Sequence, residues 1–131
     1  MEQKSFLTIT TPYQILIKEA VDYVTIPGIE GEFGILPAHE PMISALKSGI
    51  ITVLTGSKQQ KFFTSQGIIK IENSEIGLLV DFGINIKDVT QQEIIQKIAN
   101  LTNELNNIDD LELSIVLSKN IQQYESLLIY L

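Results

Sequence analysis

With 131 residues, 44% of them hydrophobic and 19% charged, the chain is long enough for one compact domain, or a small domain with an appendage, and is far from disordered compositions. It has no cysteine and one histidine, which excludes a disulfide framework or thiolate metal site and would leave a zinc site to rest on carboxylates beside a single imidazole, so no metal and no cofactor is expected. The net charge of −7 comes from 16 acids against nine basic residues, all of them lysine, a balance that opposes nucleic acid as a partner.

The first residues, MEQKSFLTIT, carry neither a signal-peptide pattern nor an Arg-rich transit pattern, and no stretch approaches 18 uninterrupted apolar residues. A soluble, cytosolic protein without direct membrane insertion is expected, unless a partner holds it at a membrane. From Phe6 to about Ile86, short runs rich in Ile, Val, Thr, Tyr and Phe recur between Gly, Pro, Asn and Ser. They predict nine strands: Ser5 to Thr10, Gln14 to Glu19, Tyr23 to Pro27, Phe33 to Leu36, Met42 to Leu46, Gly49 to Leu54, Lys61 to Ser65, Gly67 to Glu72 and Ile76 to Asp81. Gly56-Ser57 and Asn73-Ser74 supply hairpin turns, and Ile50 to Leu54 is apolar on both faces. Strands without an intervening helix predict a sandwich or flattened barrel.

One stretch inside this region stands out. Pro27 to Pro41, PGIEGEFGILPAHEP, holds Gly28, Gly31 and Gly34 with Pro27, Pro37 and Pro41, too punctuated for a helix and too regular for a linker. It predicts a shaped loop with a short strand inside, its form set by Gly28, Gly34, Pro37 and Pro41. Neither a P-loop nor a dinucleotide fingerprint is present. Its ionisable residues are Glu30, Glu32, His39 and Glu40.

At Lys87 the hydrophobic period changes from that of strands to that of helices. Thr90 and Glu93 form a capping box, Val89 and Ile94 a hydrophobic staple, and Ile94, Ile98, Leu101 and Leu105 one apolar stripe. Asn106 to Asp110 breaks this helix; Asp109 with Glu112 starts another, striped by Leu113, Leu117, Ile121, Tyr124 and Leu128. The fold class is therefore α+β by content: an N-terminal all-β sandwich over residues 1–87, then an antiparallel two-helix hairpin over 88–131. An isolated hairpin of this size is marginal, which makes it a candidate moving part. Met1 to Asp88 carries a net −3 and Val89 to Leu131 a net −4.

For chemistry, His39 has Ser44 and Glu40 near it in sequence, but no motif ties the three into a nucleophilic site. A loop-bracing or interface hydrogen bond explains His39 with less. Glu30 and Glu32 read more simply as a solvated acidic rim than as a general acid and base. No catalytic residue and no nucleotide-binding residue is expected. The residue patterns describe an acidic partner-binding component rather than an enzyme.

The run PGIEGEFGILPAHEPMI resembles the signature of the epsilon subunit of rotary F-type ATP synthases, the delta subunit in mitochondria. The resemblance rests on Gly28, Glu30, Gly31, Glu32, Gly34, Ile35, Leu36, Pro37, His39 and Pro41, with Ala38 where the family usually has Gly. Phe63 to Asp81, FTSQGIIKIENSEIGLLVD, gives a second, looser match, and the order of sandwich and helices agrees. The resemblance implies a non-catalytic central-stalk subunit, peripheral on the cytoplasmic face of the inner membrane, linking gamma to the c ring and coupling proton transport to ATP synthesis. By position it would place Glu30, Gly31 and Glu32 toward the c ring and His39 and Ser44 toward gamma. The C-terminal helices would reach catalytic subunits.

Two departures bear on regulation. Where many bacterial members open the first helix with an [IL]DxxRA motif linked to ATP binding, this chain has Val89, Thr90, Gln91, Gln92, Glu93 and Ile94, with Thr90 for the Asp and Glu93 for the Arg. The second helix, often basic and inhibitory in the family, here carries only Lys119 against Glu112 and Glu125. The resemblance thus implies a weakened regulatory role. The rivals are a free-standing binding module that uses the Gly28 to Pro41 loop and, less well supported, a hydrolase centred on His39.

Overall fold

A computed structural model describes residues 4–131. The chain divides into a first unit ending at Asn85 and a second, Ile86–Leu131.

Among the described residues the first unit holds ten strands: β1 (Ser5–Thr10), β2 (Ile15–Val21), β3 (Tyr23–Gly28), β4 (Gly31–Ile35), β5 (Met42–Leu46), β6 (Gly49–Thr55), β7 (Lys58–Thr64), β8 (Gly67–Glu72), β9 (Glu75–Val80) and β10 (Gly83–Asn85). Hydrogen bonds run through the order β10-β7-β6-β3-β5-β8-β9-β1-β2, with β4 paired to β3 off this path. All pairs are antiparallel except β1 with β9. The sheet folds over on itself, so that its last strand, β2, lies against β6 and β10 as in a flattened barrel. Alternate residues of each strand point inward, and Leu7, Ile9, Val24, Ile26, Ile51, Phe62, Ile69 and Leu78 close the core with almost no exposure.

The turns explain the register. Asn73 and Ser74, with φ of 51° and 63°, form a two-residue link of the type I′ kind between Glu72 and Glu75, the mirror-image turn that matches strand twist. The Thr11 side chain accepts from the N–H groups of Tyr13 (3.2 Å) and Gln14 (3.1 Å) and shapes the β1–β2 turn. Asp22, between β2 and β3, accepts at 2.6 Å from the N–H of Gly56 in the β6–β7 turn, and Lys4 lies 3.4 Å from its other oxygen. Those contacts hold its carboxyl below the usual range, chiefly through the Gly56 bond.

Several sequence expectations need correction. β10 was not predicted: its three residues are too short to show alternation, and it is pinned where the buried Ser65 hydroxyl accepts from Phe82 N–H at 3.0 Å. β7 begins at Lys58, not Lys61, because the tight Gly56-Ser57 turn lets polar residues continue the ladder opposite Val53 to Thr55. β2 runs to Val21, past the expected Glu19, because Val21 pairs with Ser5 and is buried. The Pro27–Pro41 stretch is not one loop. Its first part is the β3–β4 hairpin, with Gly28 opposite Gly31; its second is a separate loop over 36–41.

In the second unit a short 3-10 turn (Ile86–Asp88) precedes α1 (Gln91–Asn106) and α2 (Leu111–Leu128), which pack on each other. The Thr90 hydroxyl accepts from Glu93 N–H at 3.2 Å, the expected cap. The second cap is Asp110, not Asp109: its carboxylate accepts from Leu113 N–H at 3.2 Å, because the residue three before that N–H is the one in reach. Asn107 closes α1, its side chain donating to Asn103 O at 2.8 Å. Ile94, Leu117 and Ile121 are buried as their stripes predict, but Leu113 is 42% exposed and Leu127, outside the predicted stripe, is fully buried. The apolar face of α2 therefore turns toward Leu127 in its last turns.

Candidate functional site

The β3–β4 hairpin and β5 part company beyond a single bridge, Gly28 with Leu46, supported by Lys47 N–H donating to Pro27 O at 2.9 Å. The gap is a cleft of about 460 Å³ with Phe33 and Met42 as its apolar floor and Ile29, Glu30, Glu32 and Ser44 at its rim. Gly31, with φ 126°, turns the chain at the hairpin tip, a conformation that favours glycine. Gly34 serves a different need: a Cβ there would fall on the Tyr23 ring, which lies across the strand at that point.

The structure thus brings Gly28, Glu30, Gly31, Glu32 and Ser44 to one cleft. It does not bring His39 there. That ring sits in the 36–41 loop, and its Nδ1–H donates to Glu40 O at 2.8 Å, while the Ser44 hydroxyl donates to Ala45 O at 3.4 Å. Each of the two polar groups bonds to its own neighbour and not to the other, so His39 is not placed to activate Ser44. Pro37 and Pro41 bracket the loop, and Ala38 between them has φ 64°; Pro followed by a residue of positive φ is the pattern of a type II turn. Among the described residues, no group of three or more His, Asp or Glu is placed to hold a metal ion.

The second feature was missed by sequence reasoning. On the outer face of the half-sheet β5-β8-β9-β1-β2, register aligns Ala45, Ile68, Leu79, Thr10 and Ile15 in one row across five strands. Ile68, Leu79 and Ile15 are 52%, 61% and 56% exposed, and Ile43, two residues before Ala45, is 72% exposed. A groove of about 730 Å³ runs beside this row, lined also by Thr11, Pro12 and Gln66. Exposed apolar side chains gathered in this way, with Thr10 standing between Leu79 and Ile15, form the kind of surface that protein partners cover. The available signal was the paired apolar residues Ile68-Ile69 and Leu78-Leu79: strict alternation gives a strand one apolar face, and these strands have two.

β5 joins the two features. Met42, Ser44 and Leu46 face the cleft and core, while Ile43 and Ala45 face the outer row.

Comparison with known proteins agrees with this architecture. Residues 4–86 match the family model of the ATP synthase delta/epsilon chain, beta-sandwich domain. The chain is 34% identical over 98 residues to the ATP synthase epsilon chain of a Bradyrhizobium species, covering 75% of this chain and 73% of that one. It is 38% identical over 89 residues to the epsilon chain of Nitratidesulfovibrio vulgaris, covering 68% and 66%. A chain in the Euglena gracilis mitochondrial ATP synthase, in a structure of OSCP, F1 and c ring, superposes with a TM-score of 0.67 at 21% identity, over 97% of this chain and 81% of that one. One in the Tetrahymena thermophila mitochondrial ATP synthase, in a structure of central stalk and c ring, superposes at 0.59 and 16% identity, over 97% and 98%. At those identities the two structures speak for the fold alone.

Proposed function

We propose, from the premise that this chain belongs to the ATP synthase delta/epsilon family and is a subunit of the rotary enzyme, that it occupies a non-catalytic place in the central stalk between gamma and the c ring. The observation that carries this reading is the exposed apolar row Ala45–Ile68–Leu79–Ile15 with Ile43, which takes the role of the gamma-docking face. A free subunit keeps such a row in water at a cost of about 25 cal/mol per Å², and docking removes that cost. His39, on the loop that leads into β5, and Ser44, between Ile43 and Ala45, belong to the same strand-and-loop segment and reach gamma through it. The cleft rim Glu30–Gly31–Glu32, at a hairpin tip, reaches the polar loops of the c ring.

The chain does no chemistry of its own in this role. His39 and Ser44 bond to neighbouring backbone, which suits bracing rather than proton transfer. No helix among the described residues is long and apolar enough to cross a membrane, and the subunit is held at the cytoplasmic face of the inner membrane by its partners. The C-terminal hairpin touches catalytic subunits only weakly, because its net charge of −4 and lack of arginine deny it the cationic contacts such a brake needs.

The test is affinity for purified gamma. Ile68→Asp places a charge in the centre of the apolar row and should weaken binding by about 2–4 kcal/mol with the fold unchanged. Gamma binding that survives Ile68→Asp and Leu79→Asp at full strength would remove the face from the interface.

A further inference from the structure

The β1–β2 turn rises directly out of the apolar row, because Thr10 and Ile15, paired across the two strands, both belong to that row and residues 11–14 connect them. At its tip Tyr13 is 92% exposed, although the groove of about 730 Å³ walled by Pro12, Leu46, Ile68 and Leu79 opens at the foot of the same turn. The turn is built to keep the ring out of that groove. The buried Thr11 hydroxyl accepts from the Tyr13 and Gln14 N–H groups at 3.2 and 3.1 Å, Thr11 N–H donates to Gln14 O at 2.9 Å, and Pro12 fixes its own φ between them. The ring thus stands in solvent on a backbone that is already ordered.

Resting on the gamma-docking reading of the apolar row, we propose that Tyr13 is the aromatic anchor of that interface, entering a concave apolar socket on gamma. Tight interfaces draw most of their binding from a few Trp, Tyr and Arg side chains. This chain has no Trp, no Arg and four Tyr. Tyr23 packs its ring over Gly34, Tyr124 and Tyr130 belong to the second unit, and Tyr13 is the one on a turn that the apolar row itself supplies. A turn ordered in advance loses little further freedom when its ring is covered. The anchor also supplies what the row lacks. Apolar burial is non-directional and resists separation of two surfaces more than sliding, whereas a ring seated in a socket stops movement along the strands, as a subunit of a rotary enzyme requires.

So exposed a side chain contributes little to the fold, which makes Tyr13 a clean position to test. Binding to the cognate purified gamma subunit is measured for the full native chain, Tyr13→Phe, Tyr13→Ala and Ile68→Asp, with thermal melts to confirm folding and sedimentation of each chain alone. Tyr13→Ala should bind gamma about tenfold or more weakly, mostly through faster dissociation, at an unchanged melting temperature. Tyr13→Phe, which keeps the ring, should stay within about threefold of the native chain. If Tyr13→Ala binds like the native chain while Ile68→Asp does not, the ring is not an anchor and the apolar face stands. If Tyr13→Ala and Ile68→Asp both bind normally, the docking reading itself fails. Self-association of the native chain that Tyr13→Ala removes would make the groove of a second copy the socket and overturn the proposal.

Discussion

Ala38→Gly should make this protein more stable, against the usual direction of glycine substitutions. Ala38 holds φ at 64°, with Pro37 before it, in a turn that glycine enters freely. For an L-residue the left-handed region costs roughly 1–2 kcal/mol. Glycine removes that cost but adds freedom to the unfolded chain, which takes back about 0.5–1 kcal/mol. The Ala38 side chain is exposed, so no packing is lost with its methyl. The balance is a stabilisation of about 0.5–1 kcal/mol. Urea unfolding followed by circular dichroism reads it directly: with a slope of about 1–3 kcal/mol per molar, the midpoint should rise by about 0.2–1 M with the slope unchanged. A midpoint that stays or falls at constant slope would refute the reasoning, since it would mean that the turn does not strain alanine.

Gly34→Ala should act in the opposite sense, losing about 1–3 kcal/mol because the new methyl falls on the Tyr23 ring; Tyr23→Ala in the same chain should recover part of the loss, measured as a non-additive midpoint shift. For Asp22, the Gly56 N–H and Lys4 lower the folded pKa below the ordinary 3.8, so its ionised form contributes stability that is complete above that value and is lost as pH falls through the depressed folded value. The melting-temperature gap between the native chain and Asp22→Asn should therefore be full near neutrality, shrink below about pH 4, and narrow with salt, as expected of an exposed group. Calorimetric titration with MgATP should show no binding at millimolar nucleotide, because Lys97 and Lys119 are the only cations in residues 89–131 and Glu93 opens α1; sub-millimolar affinity would contradict this.

What was legible in the sequence followed the strength of local signals. Thr90 with Glu93 located the start of α1 because a cap is written in four residues, whereas choosing between Asp109 and Asp110 required knowing which carboxylate faces the Leu113 N–H. The strands of the core were readable from β-branched runs, but β10 was not, since Gly83–Asn85 owes its conformation to Phe63 and Thr64 across the ladder. The glycines and prolines of 27–41 announced a shaped segment without revealing that it divides into a hairpin and a loop. That division depends on Gly28 meeting Gly31 rather than on any residue taken alone. The outer apolar row was the least legible. Ile68 and Leu79 share one hairpin, but Ala45 and Ile15 come from strands far from it in sequence, and only register puts the four in one row.

That register also constrains how load crosses the subunit. β5 is five residues long, and its period of two sends Ser44 and Met42 to the cleft with Glu30 and Glu32, and Ile43 and Ala45 to the apolar row. If the cleft rim meets the c ring and the apolar row meets gamma, a push applied at one surface reaches the other through the thickness of a single strand. That strand is held on its far side by five paired residues of β8 and on its near side by the one bridge to Gly28. The stiff path therefore runs through β8 and β9 into the parallel pairing with β1, and the β3–β4 hairpin is the compliant member. On the proposed placement, the apolar row would then be the firm seat and the acidic hairpin tip the surface that gives slightly under load. The single bridge at Gly28 is where that compliance is set.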